Sequence, residues 1–168
     1  MNSAPLLRRA RVGEAALLTE IAFAAKQHWG YPAEWLAAWR YDLTVTADYI
    51  RTQRVVVAET DGLIAGFVGL LRTAEGDQLE HLWLRPSCMG RGLGRRLFEE
   101  AVNQARAAGI TALQIRADPN AEGFYLKMGA VRIGEEVYEL PGKIRREVPL
   151  LTYRIECSEN YARFCQER

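Results

Sequence analysis

The apolar positions of the chain change period along its length, and the changes mark out helices and strands. Residues 6–12 read as an opening strand. Over residues 13–28, Leu17, Ile21, Ala24 and His28 recur at helical spacing and predict an amphipathic helix that stops at Trp29-Gly30-Tyr31-Pro32. A second helical stretch, residues 33–40, places Trp35 and Trp39 on one face, and a short helix is predicted over residues 47–52. From residue 54 the pattern becomes β-rich. Residues 54–60 and 63–72 flank Asp61-Gly62, a strong hairpin signal, and Glu75-Gly76-Asp77 turns the chain into a third strand over residues 78–85.

Helical spacing then returns. Leu93, Leu97, Ala101, Ala105 and Ala108 form one apolar stripe that ends at Gly109, before a strand over residues 111–117. A strand, helix, strand crossover brings its two strands parallel, so the sheet is predicted to be mixed. Asp118-Pro119-Asn120 offers a capping residue and a proline suited to a helix start, with a helix over residues 121–128 stopped by Gly129. Two closing strands, residues 130–139 and 147–156, are joined by a loop holding Pro141, Gly142 and three basic residues. Residues 158–168 are expected to form a tail helix.

Composition narrows the function classes. The 168 residues fit one domain covering 1–168, with 49% hydrophobic and 26% charged residues. With 22 basic against 21 acidic side chains the formal charge is +1, which argues against broad electrostatic binding to nucleic acid. No apolar run approaches a membrane span, and the first residues lack the apolar core of a signal peptide, so a cytoplasmic protein is expected. Cys88, Cys157 and Cys165 have no metal-ligand spacing and are read as reduced thiols, with no metal site expected.

The chemistry is concentrated in residues 79–98, LEHLWLRPSCMGRGLGRRLF. Gly90, Gly92 and Gly94 let the backbone bring its N–H groups close to a ligand, and the loop feeds a helix start, where unpaired N–H groups and the peptide dipoles favour an anion. Arg91, Arg95 and Arg96 oppose the dipole there, a local conflict that a bound anion would resolve. The spacing matches neither a P-loop nor a dinucleotide fingerprint.

Gly92-Leu93-Gly94, after a strand ending Leu84-Arg85-Pro86, resembles the acyl-CoA-binding signature of the GNAT acetyltransferases. Met89 stands where that signature has Gln or Arg. The segment Asn120-Ala-Glu-Gly-Phe-Tyr-Leu-Lys-Met-Gly129 is similar to the second signature of the family, in the expected order. The resemblance implies an α/β (α+β) fold with a central mixed, mostly antiparallel sheet, strands four and five splayed apart, and helices on both faces. It implies acetyl-CoA as co-substrate, with its pantetheine arm in the gap and its diphosphate on the loop.

Residue by residue, the resemblance assigns cofactor contacts to Leu82, Trp83, Leu84, Met89, Gly90, Arg91, Gly92, Leu93, Gly94, Arg95, Asn120 and Tyr125. The Leu82 N–H is expected to act as an oxyanion-type donor. An amine with a pKa of ~10.4 is neutral in only about one molecule in 2,500 at pH 7, so transfer needs a base. Glu80 is the expected base, on one strand face with Leu82 and Leu84. His81 is the alternative if a bulge redirects it. Tyr125 is the expected proton donor to the leaving thiolate. His28, Trp29 and Tyr31, with His81, are the expected acceptor contacts. The expected activity is N-acetyl transfer to a small-molecule or peptide amine, with transfer of another acyl group or non-catalytic acyl-CoA binding as the alternatives, and strand edges leave room for a homodimer.

Overall fold

The computed structural model describes residues 4–156. Seven strands form one sheet in the order β1-β2-β3-β4-β5-β7-β6: β1 Leu6–Arg9, β2 Arg54–Thr60, β3 Leu63–Thr73, β4 Gly76–Leu84, β5 Ala112–Arg116, β6 Val131–Leu140 and β7 Ile144–Arg154. All neighbours are antiparallel except β4 and β5. The β2–β3 hairpin turns at Asp61-Gly62, where both residues have positive φ, as the sequence predicts.

Among the described residues, six α-helices cover the sheet. They are α1 (Ala15–His28), α2 (Ala33–Ala38), α3 (Arg40–Leu43) and α4 (Ala47–Thr52) before β2, α5 (Leu93–Ala107) between β4 and β5, and α6 (Glu122–Lys127) after β5. Each face of the sheet buries its own core. On one face α5 packs Leu93, Leu97, Phe98, Ala101 and Ala105 against Val56, Val68, Leu70 and Leu113. On the other, Leu18, Ile21 and Ala22 of α1 meet Trp39, Ile50, Val57 and Phe67. Thr46 caps α4 by accepting from the Tyr49 N–H.

Three expectations need correction. The buried stripe of α1 is Leu18, Ile21, Ala22, Ala25 and Lys26, while His28 is exposed, so the helix is rotated from the expected face. The α6 helix begins at Glu122 after Ala121 with no side-chain cap; the Asp118 carboxylate instead accepts from the Asn120 N–H and from three other residues. The closing strands pair from Leu140 to Ile144 across a three-residue turn with Gly142 and Lys143 at positive φ. Arg145 and Arg146 therefore belong to β7 and not to a loop. The expected tail helix, Cys157 and Cys165 lie outside the described residues.

Candidate active site

Strands β4 and β5 share a single register pair, Gln78 with Gln114, and then diverge. The gap is a cleft of about 270 Å³ lined by Leu82, Trp83, Leu84, Met89, Gly94, Asn120 and Tyr125 among others. Its backbone is primed for a partner. The Arg85 N–H bonds to the Ala65 carbonyl on the β3 side. Strand alternation then points the N–H groups of Leu84 and Leu82 the other way, into the gap, with no strand opposite them.

At the mouth of the cleft, the chain passes through a 3₁₀ turn, Pro86–Cys88, into the glycine loop. Gly92 caps α5 in the left-handed region at φ +80°, and the space beside its Cα is open. Among the described residues, the amides of residues 90–95 have no backbone acceptor outside the regular helices and strands. Unpaired amides at the start of a 15-residue helix suit the diphosphate of a coenzyme A thioester. Leu93 contributes only backbone there, because its side chain is in the core. Arg91 and Arg95 are exposed, and Arg95 lies 3.9 Å from Glu99.

A β-bulge sets the position of Glu80. Gly69 pairs with His81 and the next residue, Leu70, pairs with Leu79, which leaves Glu80 as the extra residue of β4. The expected single face of Glu80, Leu82 and Leu84 is therefore not formed; Leu79 joins Leu82 and Leu84 on the α5 side, and Glu80 stands out of the ladder. It lines the cleft and also a second recess of about 120 Å³, bounded by Lys26, Trp39, Asp42, Trp83, Arg116, Asp118 and Tyr138. Leu79, Glu80, Trp83, Arg116 and Asp118 line both spaces, so the two lie side by side across them.

Glu80 opens to solvent in the cleft, yet protein surrounds it closely. Loss of water raises its pKa, the Arg116 charge pulls it back, and Asp42 adds to the rise. Arg116 is itself held by Glu136 through two hydrogen bonds of 2.7 and 3.0 Å. Tyr125 is 7% exposed, lines the cleft, and makes no side-chain hydrogen bond among the described residues. Burial raises its pKa, with Asp118 adding to the effect, so the phenol keeps its proton.

His81 is not at the site. The bulge falls before it, leaving its ring in the opposite core against Tyr49 and Phe67, with Nδ1 accepting from Trp83 Nε1 at 3.1 Å. Burial pushes its pKa down to about 4, so it is neutral and enclosed. His28 is exposed and lines neither space, whereas Trp29 lines the cleft.

Tyr31 sits behind the recess in a polar cluster that sequence reasoning did not assemble. Its hydroxyl donates to Asp118 at 2.9 Å and accepts from Asn120 Nδ2 and Arg146, each at 2.8 Å. Lys26 completes the cluster through Asp118 and lies 4.2 Å from the Trp39 ring centroid. Asn120 is thus tied to this cluster as well as lining the cleft. A lysine on the buried stripe of α1 was the one available signal, since a cation there needs a partner.

Comparison with known proteins follows the same lines. A family profile described as "Acetyltransferase (GNAT) domain" matches residues 32–140. The chain is 32% identical over 84 residues to the N-alpha-acetyltransferase RimI of Mycobacterium tuberculosis, a match covering 47% of this chain and 52% of that protein. It is 31% identical over 77 residues to a putative [ribosomal protein bS18]-alanine N-acetyltransferase of Bacillus subtilis, covering 44% and 51%. The chain spans about half the length of these curated relatives. A GCN5-related N-acetyltransferase from Rhodopseudomonas palustris superposes with a TM-score of 0.76 at 24% identity over 92% of this chain and 98% of that one. The PaiA N-acetyltransferase of Thermoplasma acidophilum, solved with coenzyme A, superposes with a TM-score of 0.70 at 20% identity over 90% and 99%. The profile match covers most of the chain and includes the bulge, the glycine loop and Tyr125, and the chain belongs to the GNAT acetyltransferase family.

Proposed function

We propose that this protein is an N-acetyltransferase that moves the acetyl group of acetyl-CoA to a primary amine by direct transfer in a ternary complex. The observation that carries the reading is the position of Glu80, a carboxylate of raised pKa that lines both the cleft between β4 and β5 and a second recess. The co-substrate supplies an activated thioester and a diphosphate; the remaining roles fall to the chain.

The amides of residues 90–95 and the Gly92 turn hold the diphosphate, and Leu82 and Leu84 offer their N–H groups to the amide-bearing arm as a missing strand would. The Leu82 N–H, aimed into the gap, polarises the thioester carbonyl. Glu80 takes the proton that the ammonium must lose before its nitrogen attacks the carbonyl carbon. A C–N bond forms and the C–S bond breaks; Tyr125 gives its proton to the departing thiolate, and the proton that the nitrogen sheds on becoming an amide passes through solvent in the open cleft to restore the phenol. The Tyr125 phenol, protonated and without another partner among the described residues, is suited to that role.

The test is an amine panel with acetyl-CoA, following free-thiol release and the gain of an acetyl group in the product by mass spectrometry. Release that requires the amine and yields acetylated amine supports the reading. Tight coenzyme A binding with no product from any amine would leave a cofactor-binding protein and overturn it.

A further inference from the structure

Ion pairing neutralises most of the charge around the amine-side recess. Lys26 and Arg146 contact Asp118, and Arg116 is paired with Glu136. Two lining carboxylates remain, those of Asp42 and Glu80. Neither has a hydrogen-bond or ion-pair partner among the described residues, although every other charged group lining the recess has one. Asp42 is exposed on α3, and its charge reaches both Glu80 and Lys26.

The rest of the recess suits an organic cation. Leu43, Trp83 and Tyr138 give it apolar and aromatic walls, and it shares Glu80, Trp83, Arg116 and Asp118 with the adjacent cleft where transfer is placed. An amine about to attack must be neutral, so a monoamine gains nothing from the unpaired Asp42 charge, which is otherwise answered by solvent. A carboxylate-bearing acceptor fits worse, because Lys26 and Arg116, the two cations of the lining, are already engaged.

We propose that the acceptor is a diamine: one nitrogen is delivered to Glu80 for acetylation, while a second stays protonated on the Asp42 carboxylate. This rests on the N-acetyltransferase reading and names its substrate class, making Asp42 a specificity-determining residue.

Three ligands with the same carbon count separate the outcomes: putrescine, n-butylamine and γ-aminobutyrate, each titrated calorimetrically into protein saturated with coenzyme A. The expected result is putrescine binding at least about tenfold tighter than n-butylamine, with the preference cut to about threefold or less in Asp42→Asn. Asp48→Asn, an exposed carboxylate on α4 paired with Arg51, should keep the full preference. The ratio of kcat/KM for the two amines should follow the binding ratio. Equal binding of the two amines, an unchanged ratio in Asp42→Asn, tighter binding of γ-aminobutyrate, or no putrescine binding at all would each overturn the proposal. Binding is read without turnover. Putrescine bound in an Asp42-dependent way but never acetylated would keep Asp42 as the seat of a second ammonium and remove the transferase reading, and with it the acceptor role of the diamine.

Discussion

The Lys26 ammonium on α1 donates to the Asp118 carboxylate just beyond β5, joining residues 92 positions apart. The pair is nearly closed to solvent, with side-chain exposures of 11% and 6%. Burial alone would raise the Asp118 pKa, but Lys26, the Asn120 N–H and Tyr31 outweigh it and hold it below the usual range. Removing one member leaves a buried charge without its partner, which typically costs about 3–5 kcal/mol. Asp118→Asn should therefore lower stability in urea by an amount of that order, and adding Lys26→Met should recover much of the loss. Because the folded pKa is depressed, the Asp118 contribution is present above the unfolded value of about 3.9 and is lost as pH falls through the lower folded value. Asp118→Asn should flatten that part of the acid limb.

The base role proposed for Glu80 predicts a different pH dependence, that of turnover. A base must be ionised, so kcat/KM for amine should climb as pH rises through a carboxylate pKa lifted by burial. Arg116 opposes that lift. In Arg116→Met the rising limb should move to higher pH, while Glu80→Gln should remove the limb and lower kcat/KM by about 10²- to 10⁴-fold with coenzyme A affinity retained. A limb at the wild-type position in Arg116→Met would separate Arg116 from the base.

For Tyr125→Phe the expected loss lies in kcat, on the order of 10²-fold, with amine KM little changed. No hydrogen bond of the hydroxyl is broken among the described residues, and the ring still packs against Phe98 and Phe124. Thermal stability should accordingly stay close to wild type. A large fall in melting temperature would point to a structural role for the hydroxyl.

Two glycines should fail in distinguishable ways. Gly92→Val forces a β-branched residue into a left-handed turn and should weaken coenzyme A binding by tenfold or more, ~1.4 kcal/mol, while the sheet persists by circular dichroism. At Gly66 the conformation is ordinary but the space is not: an added Cβ would lie 2.6 Å from the Trp83 carbonyl oxygen, a backbone atom of β4. Gly66→Ala should cost about 1–3 kcal/mol and disturb the cleft wall as well.

Local signals carried most of the fold. Asp61-Gly62, the Thr46 start of α4 and the stripe on α5 each depend on neighbours in sequence, and their elements stand where periodicity puts them. What escaped depends on distant partners. Arg146 looked like a loop residue because Pro141 and Gly142 precede it, yet the tight turn ends in time for β7 to carry it onto Tyr31 and Asp118. Asp118 looked like a cap because an aspartate before a proline commonly is one, but a buried ammonium on α1 is the stronger claim on it. Asp42 gave no signal at all, since only the folded chain brings it beside Glu80.

Leu79 and His81 already stand opposite consecutive residues of β3 and already face opposite cores, so the sheet would be continuous without Glu80. Geometrically, the glutamate is a surplus stitch. A chain lacking that one codon should knit a straighter, firmer fabric, with every interior side chain on its own side, and be unable to strip a proton from any amine that reached it.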